Sequence, residues 1–252
     1  MEKKYLSYKH QNFIDIGDEL FKLAITLSYA EKSGRTFVLD NDDYMNIIDL
    51  FTKISYEKLS VDDFTSKKGF NYHINYDDKK LLIDYEDYKF NYHQISAKSR
   101  VLLSLLITGN SNYTNFVYSR INDFMTYFKD YTLSNYVCMN IKKDTYVSNY
   151  YEKAYYRHFN DKKLIIRVDD LDWARDNIKF TDKSKMIFIE ANYENKFTDF
   201  ILLSLFQNYI IDYDYYSWWI AYITIPGSDI TKKVIVPNNY YDFYLPEWIK
   251  QS

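Results

Sequence analysis

The chain has 252 residues, 47% of them apolar and 27% charged, a globular composition that excludes an intrinsically disordered protein. A formal net charge of −3 supplies no basic field for nucleic acid, and a lone cysteine, Cys138, excludes an internal disulfide. Met1-Glu2-Lys3-Lys4-Tyr5 lacks the apolar segment of a signal peptide, and no run approaches the roughly 18 apolar residues of a membrane span. The expectation is therefore a soluble, cytoplasmic protein of a reducing compartment. The 29 tyrosines accompany heavy use of Asn, Lys, Asp and Ile, so they read as coding bias rather than as a carbohydrate-binding signal.

Taken in chain order, Phe13 and Ile14 predict a short strand and Gly17 the turn into a helix. Leu20, Leu23, Ala24, Leu27 and Ala30 recur at helical spacing and define one buried face. Ser33 and Gly34 end that helix with a left-handed cap, and a β-branched strand over 36–39 runs to Asp40. Residues 41–97 are polar and weakly patterned, with short β segments predicted at 70–76 and 81–85. Helices follow at 101–107 and 116–128, the second carrying Val117, Ile121, Phe124, Met125 and Phe128 on one face. Residues 132–135 mark a boundary, giving domains 1–133 and 134–252.

Beyond that boundary the pattern becomes regular. Strands predicted at 136–141, 163–168, 186–189, 209–212 and 233–236 alternate with helices near 150–159, 171–178, 198–207 and 216–223. Such alternation predicts an α/β fold with a parallel, doubly wound sheet. Pro237 and Pro246 punctuate the tail, and 245–249 forms a short terminal element.

The stretch from Thr198 to Tyr222, T-D-F-I-L-L-S-L-F-Q-N-Y-I-I-D-Y-D-Y-Y-S-W-W-I-A-Y, resembles the C-terminal motif of the α-1,2-fucosyltransferases. Other ordered pieces are similar to the same family. Gly17, Leu20, Phe21, Ala30, Gly34, Arg35, Leu39 and Asp40 match its N-terminal block, with Asp18-Glu19 in place of Asn-Gln. Tyr150-Tyr151-Glu152-Lys153-Ala154, the run from Ile165 to Asn177, the run from Lys233 to Asn238, and Leu245-Pro246-Glu247-Trp248 match in the second half. The resemblance implies a GT-B-like fold of two Rossmann-type domains with parallel doubly wound sheets. Residues 1–133 would be the acceptor side and 134–252 the nucleotide-sugar side. It implies a metal-independent, inverting transfer of a sugar from a GDP-sugar to a glycan, with no cofactor.

The same resemblance assigns candidate donor-binding residues. The family's H-x-R-R-x-D reads Asn140-Ile141-Lys142-Lys143-Asp144-Thr145 here, which keeps positive charge but loses the planar arginine fork that matches phosphate. Its N-S-[ST]-[FY] turn reads Tyr213-Asp214-Tyr215-Tyr216, ahead of Ser217, Trp218 and Trp219. An aspartate there caps the following helix and fills an anion's position with its own charge. Asp170, after a buried strand, is placed to accept from a nucleoside or to cap a helix. Gly17, Asp18 and Glu19 would form a cleft loop. Trp218 and Trp219 read as core anchors. The sequence names no general base.

Other chemistries find little support. His10, His73, His93 and His158 lack metal spacing, and no P-loop, G-x-S-x-G or G-x-G-x-x-G is present. A strand running into Asp40-Asn41-Asp42, echoed by Asp212-Tyr213-Asp214, matches the D-x-D of metal-dependent transferases, though 35 acidic residues produce it readily by chance. Packing positions of the family are kept while its phosphate-handling positions are altered. Two expectations follow. One is a nucleotide-sugar-dependent glycosyltransferase with altered activity. The other is a catalytically silent scaffold acting through a protein partner.

Overall fold

The computed structural model describes residues 3–9, 15–39, 57–58, 65–68, 79–85, 90, 92–96, 132–191, 196–223, 231–239 and 243–251. The chain forms two compact units, Met1–Ser111 and Asn112–Ser252. The predicted segments at 13–14, 70–76, 101–107 and 116–128, and the Asp40–Asp42 motif, lie outside the described residues.

In the first unit, β1 (Tyr5–Tyr8), α1 (Ile16–Ser33), β2 (Thr36–Leu39), β3 (Glu57–Lys58), β4 (Thr65–Lys68) and β5 (Lys80–Asp84) build a sheet of order β3-β2-β1-β5-β4. Every pairing in it is parallel. The described first strand is therefore Tyr5–Tyr8, a four-residue element too short to carry a periodic signal. Gly17 is not a turn but the second residue of α1, because Asp15 is the N-cap and its Oδ1 accepts from the Gly17 N–H at 2.7 Å.

Helix α1 is buried on more than one face. Leu20, Leu23, Ala24 and Ala30 are covered as expected, and so are Glu19, Lys22, Thr26 and Ser28. Buried polar groups need partners, and these have them. Thr26 Oγ1 donates to Lys22 O at 2.7 Å and lies 2.9 Å from the Tyr85 hydroxyl. Ser28 Oγ donates to Ala24 O at 2.6 Å and accepts from Ser96 N at 2.8 Å. The helix ends at Gly34, at φ 65°, whose N–H reaches the Ala30 and Glu31 carbonyls.

The second unit contains β6 (Tyr136–Ile141), α2 (Ser148–His158), β7 (Lys163–Val168), α3 (Leu171–Asn177), β8 (Met186–Glu190), α4 (Lys196–Ser204), β9 (Asn208–Ile210), α5 (Tyr215–Tyr222), β10 (Lys233–Pro237) and β11 (Ile249–Gln251). The predicted series is present, and two differences matter. Strand β9 stops at Ile210, so residues 211–214 are free to form the turn that starts α5. A sixth strand, β11, begins only at Ile249, the last residue of the short element expected at 245–249, and is not predicted by the sequence pattern.

The order is β11-β10-β9-β6-β7-β8, all parallel. Counted from β6 this is 3-2-1-4-5-6, the doubly wound arrangement whose direction reverses between its first and fourth strands. Here the reversal falls between β6 and β9.

Strand parity fixes what each face carries. Val137, Met139 and Ile141 of β6, with Leu164, Ile166 and Val168 of β7, share one core with Tyr151, Ala154, Tyr155 and Phe159 of α2 and Ala174 of α3. Cys138 and Asn140 take the other parity, alongside Arg167 across the β6–β7 register. Cys138 is free and wholly buried, and burial pushes its thiol up.

On that second face Trp218 and Trp219 of α5 are fully buried. Trp218 Nε1 donates to Phe243 O at 2.9 Å, and its ring packs on Trp219 and Trp248. Lys232 closes the opposite end of this layer. Its Nζ donates to Ser204 O, Ile220 O and Ile223 O and reaches the Tyr209 hydroxyl, so one ammonium satisfies carbonyls at the ends of α4 and α5. Burial pulls that ammonium down to about 7.

Among the described residues no helix is long and apolar enough to cross a membrane.

A Cβ at Gly34 would meet nothing within 4 Å, so its substitution tests backbone conformation alone. Gly34→Ala is expected to lower stability by about 1 kcal/mol in denaturant unfolding, with Gly34→Asn between the two. An unchanged midpoint for the alanine variant would contradict the left-handed cap.

Candidate functional site

Open α/β sheets bind ligands at the carboxyl ends of strands where the winding reverses. In the second unit that place is built by the end of β6, the turn after β9 and the first turn of α5. Asn140, Lys142, Asp214 and Ser217 all lie there and are bonded to one another.

Asp214 is the centre of the cluster. It caps α5, its Oδ2 accepting from Ser217 N at 2.8 Å and from Ser217 Oγ at 2.6 Å. The same oxygen accepts from Asn140 Nδ2 at 2.9 Å, and Oδ1 accepts from Lys142 Nζ at 2.6 Å. Asn140 Nδ2 also lies 3.2 Å from Ser217 Oγ. Burial by itself would raise the Asp214 carboxyl. Lys142, together with the hydroxyl and N–H of Ser217, outweighs burial and holds it below the usual carboxylate range.

A buried arginine extends the cluster. Arg167 sits directly across from Asn140 in the β6–β7 register. Its Nη1 donates to Asn140 Oδ1 at 2.8 Å, its Nε lies 3.5 Å from Asp199 Oδ2, and its guanidinium covers the Tyr216 ring at 4.5 Å. Asn140 is thus oriented from both ends: its carbonyl takes Arg167 and its amide faces Asp214. The matching motifs did not single out Arg167. The signal was a lone arginine within the apolar run Leu164–Val168, on the parity of Asn140.

The remaining candidates are distributed around this core. Lys143 pairs with Asp170 at 3.0 Å in an exposed bridge, and Asp170 Oδ1 caps α3 through Trp173 N at 2.8 Å. Hydrogen bonding to Trp173, aided by Lys143, lowers the Asp170 carboxyl. Tyr216 is buried against Phe200 and Arg167, whereas Tyr215 is half-buried with Tyr213 against the Phe243 ring. Asp212 accepts from Tyr213 N at 2.7 Å, and burial raises its carboxyl.

A cavity of about 420 Å³ opens at the carboxyl ends of β10 and β11, lined by Asn149, Tyr150, Lys153, Asn238 and Asn239 among others. Tyr150 links it to the turn after β9, since its hydroxyl donates to Ile211 O at 2.6 Å.

Gly17, Asp18 and Glu19, expected as a cleft loop, lie instead in the first turn of α1. Asp18 and Glu19 hold the buried Lys22 at 2.7 and 3.0 Å, and Glu19 accepts from the Tyr8 hydroxyl at 3.5 Å. Burial opposes the Lys22 charge, but the two carboxylates more than restore it and raise its pKa. Nearby in the same unit, Lys9 bridges to the buried Asp84 at 3.2 Å. This second polar cluster lies where β1, β5 and the start of α1 converge. Among the described residues no three His, Cys, Asp or Glu side chains gather in a way that could hold a metal ion.

A doubly wound sheet with a polar cluster at its reversal point is the arrangement in which open α/β folds place ligand sites. The family model described as Glycosyl transferase family 11 matches residues 45–252, and the chain belongs to that family. The match begins after α1 and β2, so the likeness of 17–40 rests on its own motif alone. No curated protein matches the chain. Among solved structures, the family 9 glycosyl transferase from Veillonella parvula DSM 2008 is similar in fold. Its TM-score is 0.52 at 10% identity, covering 100% of this chain and 86% of that one. The fold is GT-B-like.

The Asp214 shift carries a pH consequence. A carboxyl depressed by folding stabilises the native state above its unfolded pKa, and that stabilisation is lost as pH falls through the folded value. Asp214→Asn is expected to cost about 2 kcal/mol at pH 7, as for a charged hydrogen bond. The gap from the wild type should close as pH falls below about 4. Equal stability of the two proteins at pH 7 would contradict the network.

Proposed function

We propose that this chain binds a nucleoside-diphosphate sugar, with a GDP-sugar the first candidate, at the carboxyl ends of β6 and β9. It then transfers the sugar to a glycan hydroxyl without a metal ion. The observation that carries this reading is the convergence of Lys142, Asn140 and the Ser217 end of α5 on the reversal point of a 3-2-1-4-5-6 sheet. An ammonium, an amide, a hydroxyl and a helix N-terminus suit phosphate oxygens. They would stabilise the nucleoside diphosphate as it leaves and the acceptor oxygen bonds to the anomeric carbon. Asp170 would accept from the nucleoside and Lys143 would add positive charge nearby. The cavity beside Tyr150 offers amides and the Lys153 ammonium to the remainder of the donor.

A second reading, a catalytically silent scaffold with a protein partner, is favoured by one observation. Lys142 and Arg167 are matched in charge by Asp214 and Asp199. A site neutralised by its own residues attracts a diphosphate less than one with surplus cations.

Calorimetric titration with GDP at low salt and without metal separates the two. The donor reading predicts micromolar binding, weakened at least about tenfold in Lys142→Ala, equivalent to about 1.4 kcal/mol. Flat heats for GDP, and for UDP with manganese present, would sink it and turn attention to protein partners.

A further inference from the structure

Asp214 is bonded as a bound anion would be. Among the described residues, one of its oxygens takes an N–H and a hydroxyl from Ser217 and the Asn140 amide, at 2.8, 2.6 and 2.9 Å. The other takes the Lys142 ammonium at 2.6 Å. A backbone N–H at a helix start, a hydroxyl, an amide and an ammonium converging on two oxygens are the donors that hold a phosphate. Asn140 is buried and its orientation is fixed by Arg167, so the amide points at that position whether or not a carboxylate stands there.

We infer that Asp214 is a built-in phosphate mimic: its carboxylate occupies the position of a donor phosphate and turns out when the donor binds, so the site is self-occluded. This rests on the donor reading above. The Lys142 side chain is 40% exposed and can follow either anion, whereas the Asp214 side chain is 11% exposed and leaves buried surroundings for water. The exchange is anion for anion and forms or breaks no covalent bond. Its cost lies in releasing the cap of α5 and in bringing a phosphate past Asp212, the other carboxylate of the turn. A donor that binds only the vacated state has its apparent affinity reduced by the fraction of molecules in that state.

The test compares the whole chain with Asp214→Ser, which retains a good helix N-cap while removing the charge. Inorganic pyrophosphate and GDP are titrated calorimetrically into both proteins. The inference predicts at least about tenfold tighter binding of both ligands to the serine variant, with the gain abolished by adding Lys142→Ala. A folded serine variant with unchanged or weaker pyrophosphate affinity overturns it. If GDP binds the wild type and the serine variant no better, the donor reading stands and self-occlusion falls. If the serine variant gains pyrophosphate while neither protein binds a nucleoside diphosphate, the donor reading falls, and with it the claim that Asp214 occupies a donor phosphate's position. Asp214→Asn keeps the cap bond and is expected to shift affinity in the same direction, so it decides the matter should the serine variant not fold.

Discussion

A carboxylate taken out of water must be met by donors, and around Asp214 that requirement ties three separate pieces of chain together. The end of β6 supplies Asn140 and Lys142, the turn after β9 supplies Asp214 itself, and α5 supplies Ser217. Asp214 and Ser217 are close in sequence, but Asn140 lies 74 residues from Asp214, and the parallel 3-2-1-4-5-6 order is what brings the end of β6 to the start of α5. The strand parity that buries Val137, Met139 and Ile141 on one face forces Asn140 onto the other, beside Arg167. Core packing and site geometry are therefore set by the same register. A one-residue slip of β6 would lose both.

Charge decides how this site differs from an open phosphate cradle. Lys142 is drawn to Asp214 and Arg167 to Asp199, so each cation has an anion of the protein's own. On the proposed donor reading, a diphosphate would have to compete with those carboxylates rather than fill a vacancy. Family membership and a GT-B-like fold define the scaffold. The first unit repeats the theme at smaller scale, with Lys22 held by Asp18 and Glu19 in the first turn of α1.

Much of the second unit was legible in the sequence, because apolar strands such as Tyr136–Ile141 and Lys163–Val168 alternate with amphipathic helices at regular intervals. The first unit was less so. Tyr5–Tyr8 is short and polar at its flanks, and α1 buries Glu19 and Lys22, which a single hydrophobic stripe does not foretell. At the site, motif matching found Asn140, Lys142, Asp214 and Ser217 but gave no partners. That Asp214 would serve as an N-cap could be read from its place before Ser217. That it would also bind Lys142 could not, because the contact spans two strands. Arg167 escaped for a related reason: its importance lies in cross-strand register, which no linear motif records.

The central claim is that the cluster at the end of β6 and the start of α5 is where a nucleoside diphosphate is held. A crystal structure of the chain grown with GDP tests it most directly. The account predicts phosphate oxygens within hydrogen-bond distance of Lys142 Nζ and Ser217, with the Asp214 carboxylate turned away from both. GDP bound elsewhere, with the Lys142–Asp214 pair intact, would contradict it.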